Sequence, residues 1–386
     1  MSKSQTPMPA MHLCDITMFY APESGGVRRY LDAKRQWLAH HTLARHSLLA
    51  PGTRLAQDTP GTFTVPAPPL PFSNGYRFPL RRGPWVRKLV ELSPDLIEAG
   101  DPYRLAGAAL TAGERLGVPV IGFYHSDLPR LLAKRLGPRT LPITQAYVRR
   151  LYRRFDHVLT PSRTMLEHLQ ELGVERVSVQ PLGVDAVGFH PRHRDPHLRR
   201  QLGIGAHTHL LIFAGRYARE KNLEQLVEAF KRLGPHYHLL LVGPDMPFPS
   251  NGNVSCFSHF FSAQELARML ASADALVHAG DNETFGLIVL EAMASGIPAV
   301  GVDAGAIPEL INPAVGALAR SSAPAHLAEA VEHLFTQDVA AMGREARRQV
   351  EAHWTWDRAF TQLFQTYCRL LGAGSPEQET GRRASA

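Results

Sequence analysis

Three cysteines in 386 residues, Cys14, Cys256 and Cys368, stand far apart and odd in number. That argues against a disulfide framework and against a zinc site, and a reducing cytoplasm is the simplest compartment. No run approaches the roughly 20 apolar residues that span a bilayer. The opening MSKSQTPMPAMHLC lacks the apolar centre of a secretory signal. Neither G-x-G-x-x-G nor G-x-x-x-x-G-K-[ST] occurs, so dinucleotide-oxidoreductase and P-loop readings lose their main support. No D-x-D falls on a loop.

What is present describes an ordinary folded protein. The length leaves room for two α/β domains at about 150 residues each, and 44% hydrophobic with 20% charged residues is a globular composition. No repeat exists beyond the alternation of strands and helices. Residues 1–11 read as a flexible leader and 372–386, GAGSPEQETGRRASA, as a disordered tail. The net charge of +7 is uneven: residues 1–185 hold 24 Lys/Arg against 15 Asp/Glu, a balance of +9, and residues 186–386 hold 18 against 20, a balance of −2. Arg77, Arg81, Arg82, Arg87 and Lys88 form one basic cluster; Arg149, Arg150, Arg153 and Arg154 form another. Such a face can meet an anionic membrane, nucleic acid or a phosphorylated acceptor, or simply be solvated.

Strands are expected at residues 12–20, 42–50, 62–66, 95–99, 119–124, 156–160 and 177–181, with helices at 27–40, 103–116, 142–155 and 164–172. Residues 66–84, rich in proline and arginine, show no periodicity and read as a functional or mobile loop. The alternation restarts with strands at 209–214, 239–242, 254–257, 275–278 and 298–302 and helices at 223–233, 262–271 and 285–294. Helices near 323–334, 339–352 and 356–371 follow.

Residues 281–309, DNETFGLIVLEAMASGIPAVGVDAGAIPE, organise the chain. An apolar strand leads into a polar turn, a helix follows, and Gly296-Ile297-Pro298 stops it before the next strand. Glu283 falls on the turn and Glu291 about two helical turns inside. Glu291 lies among Leu290, Ala292 and Met293 without an obvious local cation, so it needs a partner, and ligand hydroxyls would serve. Thr284, Phe285, Gly286 and Leu287 open the helix, where free amides favour an anion. Two carboxylates for hydroxyls and a helix start for phosphate suggest a nucleotide-sugar pocket. The plainer alternative is a Glu283 that caps the helix and a Glu291 paired with a distant arginine.

Other loops add chemistry. Gly25 and Gly26 separate a first strand from a first helix and let a ligand approach the backbone. His125 ends a strand, where open α/β sheets place ligands; Asp127 either orients it or, preferably, caps the next helix. In Gly215-Arg216-Tyr-Ala-Arg-Glu-Lys221-Asn222, Arg216 and Lys221 suit a pyrophosphate, although a solvated loop would read the same. Arg219 reads as exposed. Ser162 reads as a helix cap.

The stretch E-T-F-G-L-I-V-L-E-A-M-A-S-G-I-P-A-V resembles the E-x7-E donor motif of the family 4 retaining glycosyltransferases, which have the GT-B fold. G-R-x-x-x-E-K-N resembles that family's phosphate loop. H-A-G-D before the first glutamate is similar to a subgroup containing GDP-mannose-dependent α-mannosyltransferases. The resemblance spans roughly residues 12–371. It implies two doubly wound Rossmann-like domains, 12–185 on the acceptor side and 201–355 holding the donor, facing an interdomain cleft. Residues 186–200 would link them, and a helix at 356–371 would cross back to the first domain.

The same resemblance implies a hexosyltransferase, with His125, Arg216, Lys221 and Glu283 as catalytic residues. Gly25, Gly26, Gly243, Thr284, Phe285, Gly286, Leu287, Glu291 and Gly305 would bind the donor. Glu291 would hold the ribose and Glu283 the transferred sugar, while His125 positions that sugar rather than acting as a base. No metal or cofactor is expected beyond the nucleotide-diphosphate sugar, with GDP-mannose favoured. The acceptor would be a lipid or glycan, and nucleic acid is not expected as a partner. The location would be cytoplasmic, with attachment to the inner face of the membrane open. The alternatives are a UDP-sugar-dependent transferase, a GT-B epimerase, which needs no acceptor, and a non-catalytic nucleotide-sugar-binding member. Two carboxylates could also suit a hydrolase, but a hydrolase has no need of Arg216 with Lys221.

Overall fold

A computed structural model describes residues 11–21, 25–70 and 75–372. Apart from residues 11 and 372, the expected leader and tail lie outside the described residues, as do 22–24 of the first glycine loop and 71–74 of the proline-rich segment.

Two sheets carry the chain. The first contains β1 (His12–Ile16), β2 (Arg45–Gly52), β3 (Ala56–Thr59), β4 (Thr62–Pro66), β5 (Leu96–Ala99), β6 (Val120–Phe123), β7 (His157–Thr160) and β8 (Val177–Val179). Their order is β3-β4-β2-β1-β5-β6-β7-β8, parallel except for the edge pair β3–β4. The second contains β9 (His209–Ala214), β10 (Tyr237–Val242), β11 (Val254–Phe257), β12 (Ala275–Val277), β13 (Ala299–Val302) and β14 (Gly316–Ala319), ordered β11-β10-β9-β12-β13-β14. The inner strands are apolar throughout because helices cover both faces of a parallel sheet: Leu210, Leu211, Ile212 and Phe213 of β9 are all fully buried. In each sheet the order reverses beside the first strand of the unit, β1 or β9, and ligands collect at such switch points, at the carboxyl ends of the strands.

The helix Trp356–Leu370 crosses back and packs on the first domain. Trp37 donates from its indole nitrogen to Asp357 at 2.8 Å, and the Gln180 amide donates to Ala359 O at 2.8 Å. Thr355 caps this helix by accepting from Arg358 N.

Several elements differ from expectation. β1 ends at Ile16 because Met18 N turns to donate to Asp101 Oδ2 at 2.7 Å. The helix expected from 285 begins at Leu287, after the cap residue Gly286. The edge strand β3, the strand β14 and the helices Gly83–Leu92 and Leu128–Leu136 are additions. The segment expected to be irregular over 66–84 contains a bridge between Pro69 and Arg77 and passes into a helix at Gly83.

Beneath the crossover helix lies a buried ionic cluster. Lys34 Nζ is 2.7 Å from Asp15 and 3.1 Å from Glu98, and its side chain is 1% exposed. His46 Nε2 lies 2.6 Å from the other Asp15 oxygen, and the Tyr30 and Tyr367 hydroxyls donate to Glu98. Burial pulls the Asp15 carboxyl up, but the Lys34 ammonium and the His46 bond hold it well below the usual range. At Glu98 burial wins over Lys34, and the carboxyl is raised. Lys34→Met leaves two buried carboxylates without their cation, a change that costs about 3–5 kcal/mol. We expect its urea midpoint to fall sharply at neutral pH. The deficit should narrow on acidification, because a depressed carboxyl stabilises the fold above its unfolded value of about 3.9 and ceases to do so as it protonates. A variant as stable as the parent at neutral pH would contradict this.

Candidate active site

β12 ends at Val277, and the chain turns through His278-Ala-Gly-Asp-Asn-Glu-Thr-Phe-Gly before the helix Leu287–Ala294. Glu283 sits on this turn, where the Lys221 ammonium bonds its Oε1 and His278 Nε2 lies 3.2 Å away. Gly280 N donates to His278 Nδ1 at 3.2 Å, so the ring proton resides on Nε2, facing the carboxylate. Burial raises the Glu283 carboxyl, but Lys221 and the neighbouring His278 together outweigh it and hold it well below the usual range. The site therefore keeps Glu283 ionised.

Gly305 supports that geometry. Its φ is +59°, and a Cβ there would stand 2.6 Å from Glu283 O, which also accepts from Ala306 N at 2.9 Å. Gly243, at φ +145°, closes against the loop at residues 215–222 so tightly that a Cβ would lie 1.9 Å from Gly215 O. Asn222 fixes the far end of that loop, donating to Ala279 O at 3.0 Å. Within it Arg216 is exposed and donates to Glu220 at 2.6 Å, and Arg219 is exposed as expected.

Glu291 is 2% exposed. The sequence offered no local cation, and the structure corrects this from the other domain: the Arg29 guanidinium, on the helix Gly26–His41, bonds Glu291 Oε1. Its Oε2 is buried without a hydrogen-bond partner. Burial raises this carboxyl against the opposing pull of Arg29. The plainer alternative is thus half right, since Glu291 does meet a distant arginine. Glu283 does not cap the helix; Gly286 occupies the cap position without a side-chain bond.

The helix Gly26–His41 also starts uncapped, at Gly25, and neither it nor Leu287–Ala294 has an acidic residue in its first turn. A Cβ on Gly26 would reach Leu287 at 3.5 Å, so two uncapped helix starts approach each other, an arrangement that favours an anion between them. Phe285 contributes its backbone to this region, while its ring is buried against Trp354. Thr284 Oγ1 donates across the cleft to His125 O at 2.7 Å.

His125 stacks on Phe123 with centroids 3.9 Å apart and meets Tyr30 edge-on. Burial, reinforced by Lys34 and opposed by Asp15, pushes its imidazole down to about 3. It is neutral at physiological pH. Asp127 is the helix cap, accepting from Arg130 N at 3.2 Å, and Ser162 caps its own helix as expected.

The structure thus brings Lys221, Glu283, Thr284, His125, Glu291 and the two glycine-started helices to one cleft, and leaves Arg216 at its exposed rim. Sequence reasoning missed Arg29 and His278. Arg29 stands three residues beyond the glycine pair, and His278 entered only as the first residue of the H-A-G-D resemblance. Among the described residues no group of three or more His, Cys, Asp or Glu side chains could hold a metal ion.

Because the folded His125 value of about 3 lies below the unfolded value of about 6.5, the unfolded chain takes up this proton first as pH falls. Stability should therefore decline progressively across that window. We expect the His125 ring signals in NMR to stay those of neutral imidazole as pH is lowered through 6.5, with no His125 step in the pH–rate profile. A titration of His125 near 6.5 would contradict the geometry.

Comparison with known proteins gives the family and the fold. Residues 24–187 match the model of Glycosyltransferase Family 4, and residues 195–351 match that of Glycosyl transferases group 1. The GDP-mannose-dependent alpha-(1-6)-phosphatidylinositol dimannoside mannosyltransferase of Mycobacterium tuberculosis (strain ATCC 25177 / H37Ra) is 30% identical over 92% of this chain and 96% of its own. A GDP-mannose-dependent alpha-mannosyltransferase of Mycolicibacterium smegmatis is 32% identical over 73% of this chain and 75% of its own. The fold matches sucrose-phosphate synthase from Thermosynechococcus elongatus with TM-score 0.80 at 19% identity, over 94% of this chain and 100% of that one. Anabaena HepE in complex with UDP-glucose matches with TM-score 0.73 at 19% identity, over 93% and 100%. The two facing α/β domains are the GT-B fold, and the chain belongs to glycosyltransferase family 4, the group 1 glycosyltransferases.

Proposed function

We propose that this glycosyltransferase moves mannose from GDP-mannose to a lipid or glycan acceptor, with retention of anomeric configuration and without a divalent metal. The observation that carries the reading is the unpartnered Oε2 of the buried Glu291, an acceptor awaiting a hydroxyl donor such as ribose. Glu283 would hold hydroxyls of the transferred sugar once that sugar competes with Lys221 for its oxygens. Arg216 and Lys221, with the amides at Phe285 and Gly286, would stabilise charge on the departing diphosphate. Preorganised charge of this kind is usually the largest catalytic contribution.

In the reaction the bond from the anomeric carbon to the β-phosphate oxygen breaks. The acceptor oxygen bonds that carbon from the same face, and the leaving phosphate oxygen takes the acceptor's proton. The neutral His125 would orient the sugar and not act as the base. The mannose and guanosine assignments lean on the names of the two mannosyltransferase relatives, and the lipid acceptor on the phosphatidylinositol dimannoside named in one. Their setting would be the inner face of the cytoplasmic membrane; among the described residues no helix is long and apolar enough to cross one.

The test is transfer from GDP-mannose, UDP-glucose and UDP-N-acetylglucosamine to phosphatidylinositol mannoside acceptors, with the product's anomeric configuration read by NMR. We expect α-mannosyl product from GDP-mannose, undiminished by EDTA, and a loss in kcat on the order of 10²–10³ for Lys221→Met. An inverted product, dependence on a divalent ion, or epimerised donor formed without acceptor would overturn the proposal.

A further inference from the structure

The most basic stretch of the chain takes little part in the site. Between residues 128 and 155 there are eight Lys/Arg and no Asp or Glu, so one segment carries +8 where the whole chain carries +7. It folds as the helices Leu128–Leu136 and Leu141–Tyr152, packed on each other through a 3-10 turn at Pro138–Thr140. Three of the cations are engaged: Arg130 lies 3.3 Å from Asp127, Arg154 lies 3.1 Å from Glu114, and Lys134 pairs with Asp281 across the cleft. Arg135, Arg139, Arg149, Arg150 and Arg153 are exposed and have no carboxylate within 4.0 Å among the described residues.

Large apolar side chains stand in water among these arginines. Leu136 is 70% exposed, Ile143 74% and Tyr147 43%. The spacing of Ile143, Tyr147 and Arg150 places them along one face of the second helix, with Arg139 one turn before. Nucleic acid would satisfy the charge but leave Leu136 and Ile143 without an apolar partner. An anionic bilayer satisfies both, since arginines meet headgroups while apolar side chains enter the acyl boundary. The Lys134–Asp281 pair sets this helix pair beside the cleft, so a membrane on that face would present a lipid-linked hydroxyl to the site.

We propose that the helix pair at residues 128–155 docks this chain on an anionic bilayer, with Leu136 and Ile143 inserted among arginines that bind lipid phosphates, beside Tyr147, whose hydroxyl donates to Pro102 O. Its purpose rests on the lipid-acceptor reading above, whereas docking itself can be tested with no acceptor present. The experiment is co-sedimentation of the full chain with vesicles of phosphatidylcholine alone, or mixed with phosphatidylglycerol. It is run on the parent, on Leu136→Ser/Ile143→Ser, on Arg139→Gln/Arg150→Gln, and on the control Leu55→Ser/Arg232→Gln. Far-ultraviolet circular dichroism and a cooperative thermal transition, measured on the same samples without nucleotide, report that the variants are folded.

The parent should sediment with the anionic vesicles only, and less so at high salt. The arginine pair should lower partitioning by about fivefold per arginine removed, the equivalent of about 1 kcal/mol each. The apolar pair should lower it as well, and the control should match the parent. No sedimentation of the parent, equal loss in the control, or binding to an RNA oligonucleotide that vesicles fail to displace would each overturn the proposal. If sedimentation follows this pattern while GDP-mannose neither binds nor reacts, the docking surface stands and the donor assignment falls.

Discussion

A carboxylate taken out of water must be paired or lose its charge, and the cleft is built around two of them. Glu283 receives Lys221 and the Nε2 face of His278 from its own domain. Glu291 receives Arg29 from the other domain and keeps one oxygen unpaired. Burial raises both carboxyls and their cations pull both down, but the balance falls on opposite sides. Glu283 is held well below the usual carboxylate range, and Glu291 is raised. In our reading the first is a fixed negative charge for the sugar, and the second is a ribose acceptor whose charge depends on a partner across the cleft.

That dependence ties donor binding to the relation between the domains. Arg29 to Glu291, Lys134 to Asp281 and Thr284 to His125 O all bridge the two halves. Glu309 adds a fourth bridge, capping the helix Arg163–Glu171 by accepting from the amides of Arg163 and Thr164 at 2.9 and 2.8 Å. Each bridge lies at a loop or helix start lining the cleft. A donor inserted between the glycine-started helices therefore competes with polar contacts that already exist. The buried Lys34 cluster plays the complementary part in the first domain. It anchors the helix Gly26–His41, which carries Arg29, to the crossover helix through Glu98 and Tyr367.

The second domain was largely legible in the sequence because its inner strands are apolar runs, as at residues 209–214, closed by Gly215; there and at 254–257 the expected and observed limits coincide. The first was less so. The helix Leu128–Leu136 carries Pro129 near its start, three cations and a glycine stop, and its first residues are shaped by the Asp127 cap rather than by periodicity. β14, with the sequence GALA, is too short and small to stand out as a strand until Ala299–Val302 offers a neighbour. At the site, Glu283, Lys221 and Glu291 were legible because their motifs are local. Arg29 and His278 were not, because their partners are 262 residues away in one case and in the other defined by which face of a turn is buried.

The central claim is that the second-domain carboxylate Glu291 holds the donor's ribose. The most direct measurement is thermal stabilisation by GDP, UDP and ADP in the parent and in Glu291→Gln, each judged against its own ligand-free transition. A nucleotide at about 100 times its Kd should add roughly 2.7 kcal/mol to the parent. The account predicts that GDP does so and that the gain is largely abolished in Glu291→Gln. Equal stabilisation of both proteins, or none by any nucleotide at millimolar concentration, would contradict it.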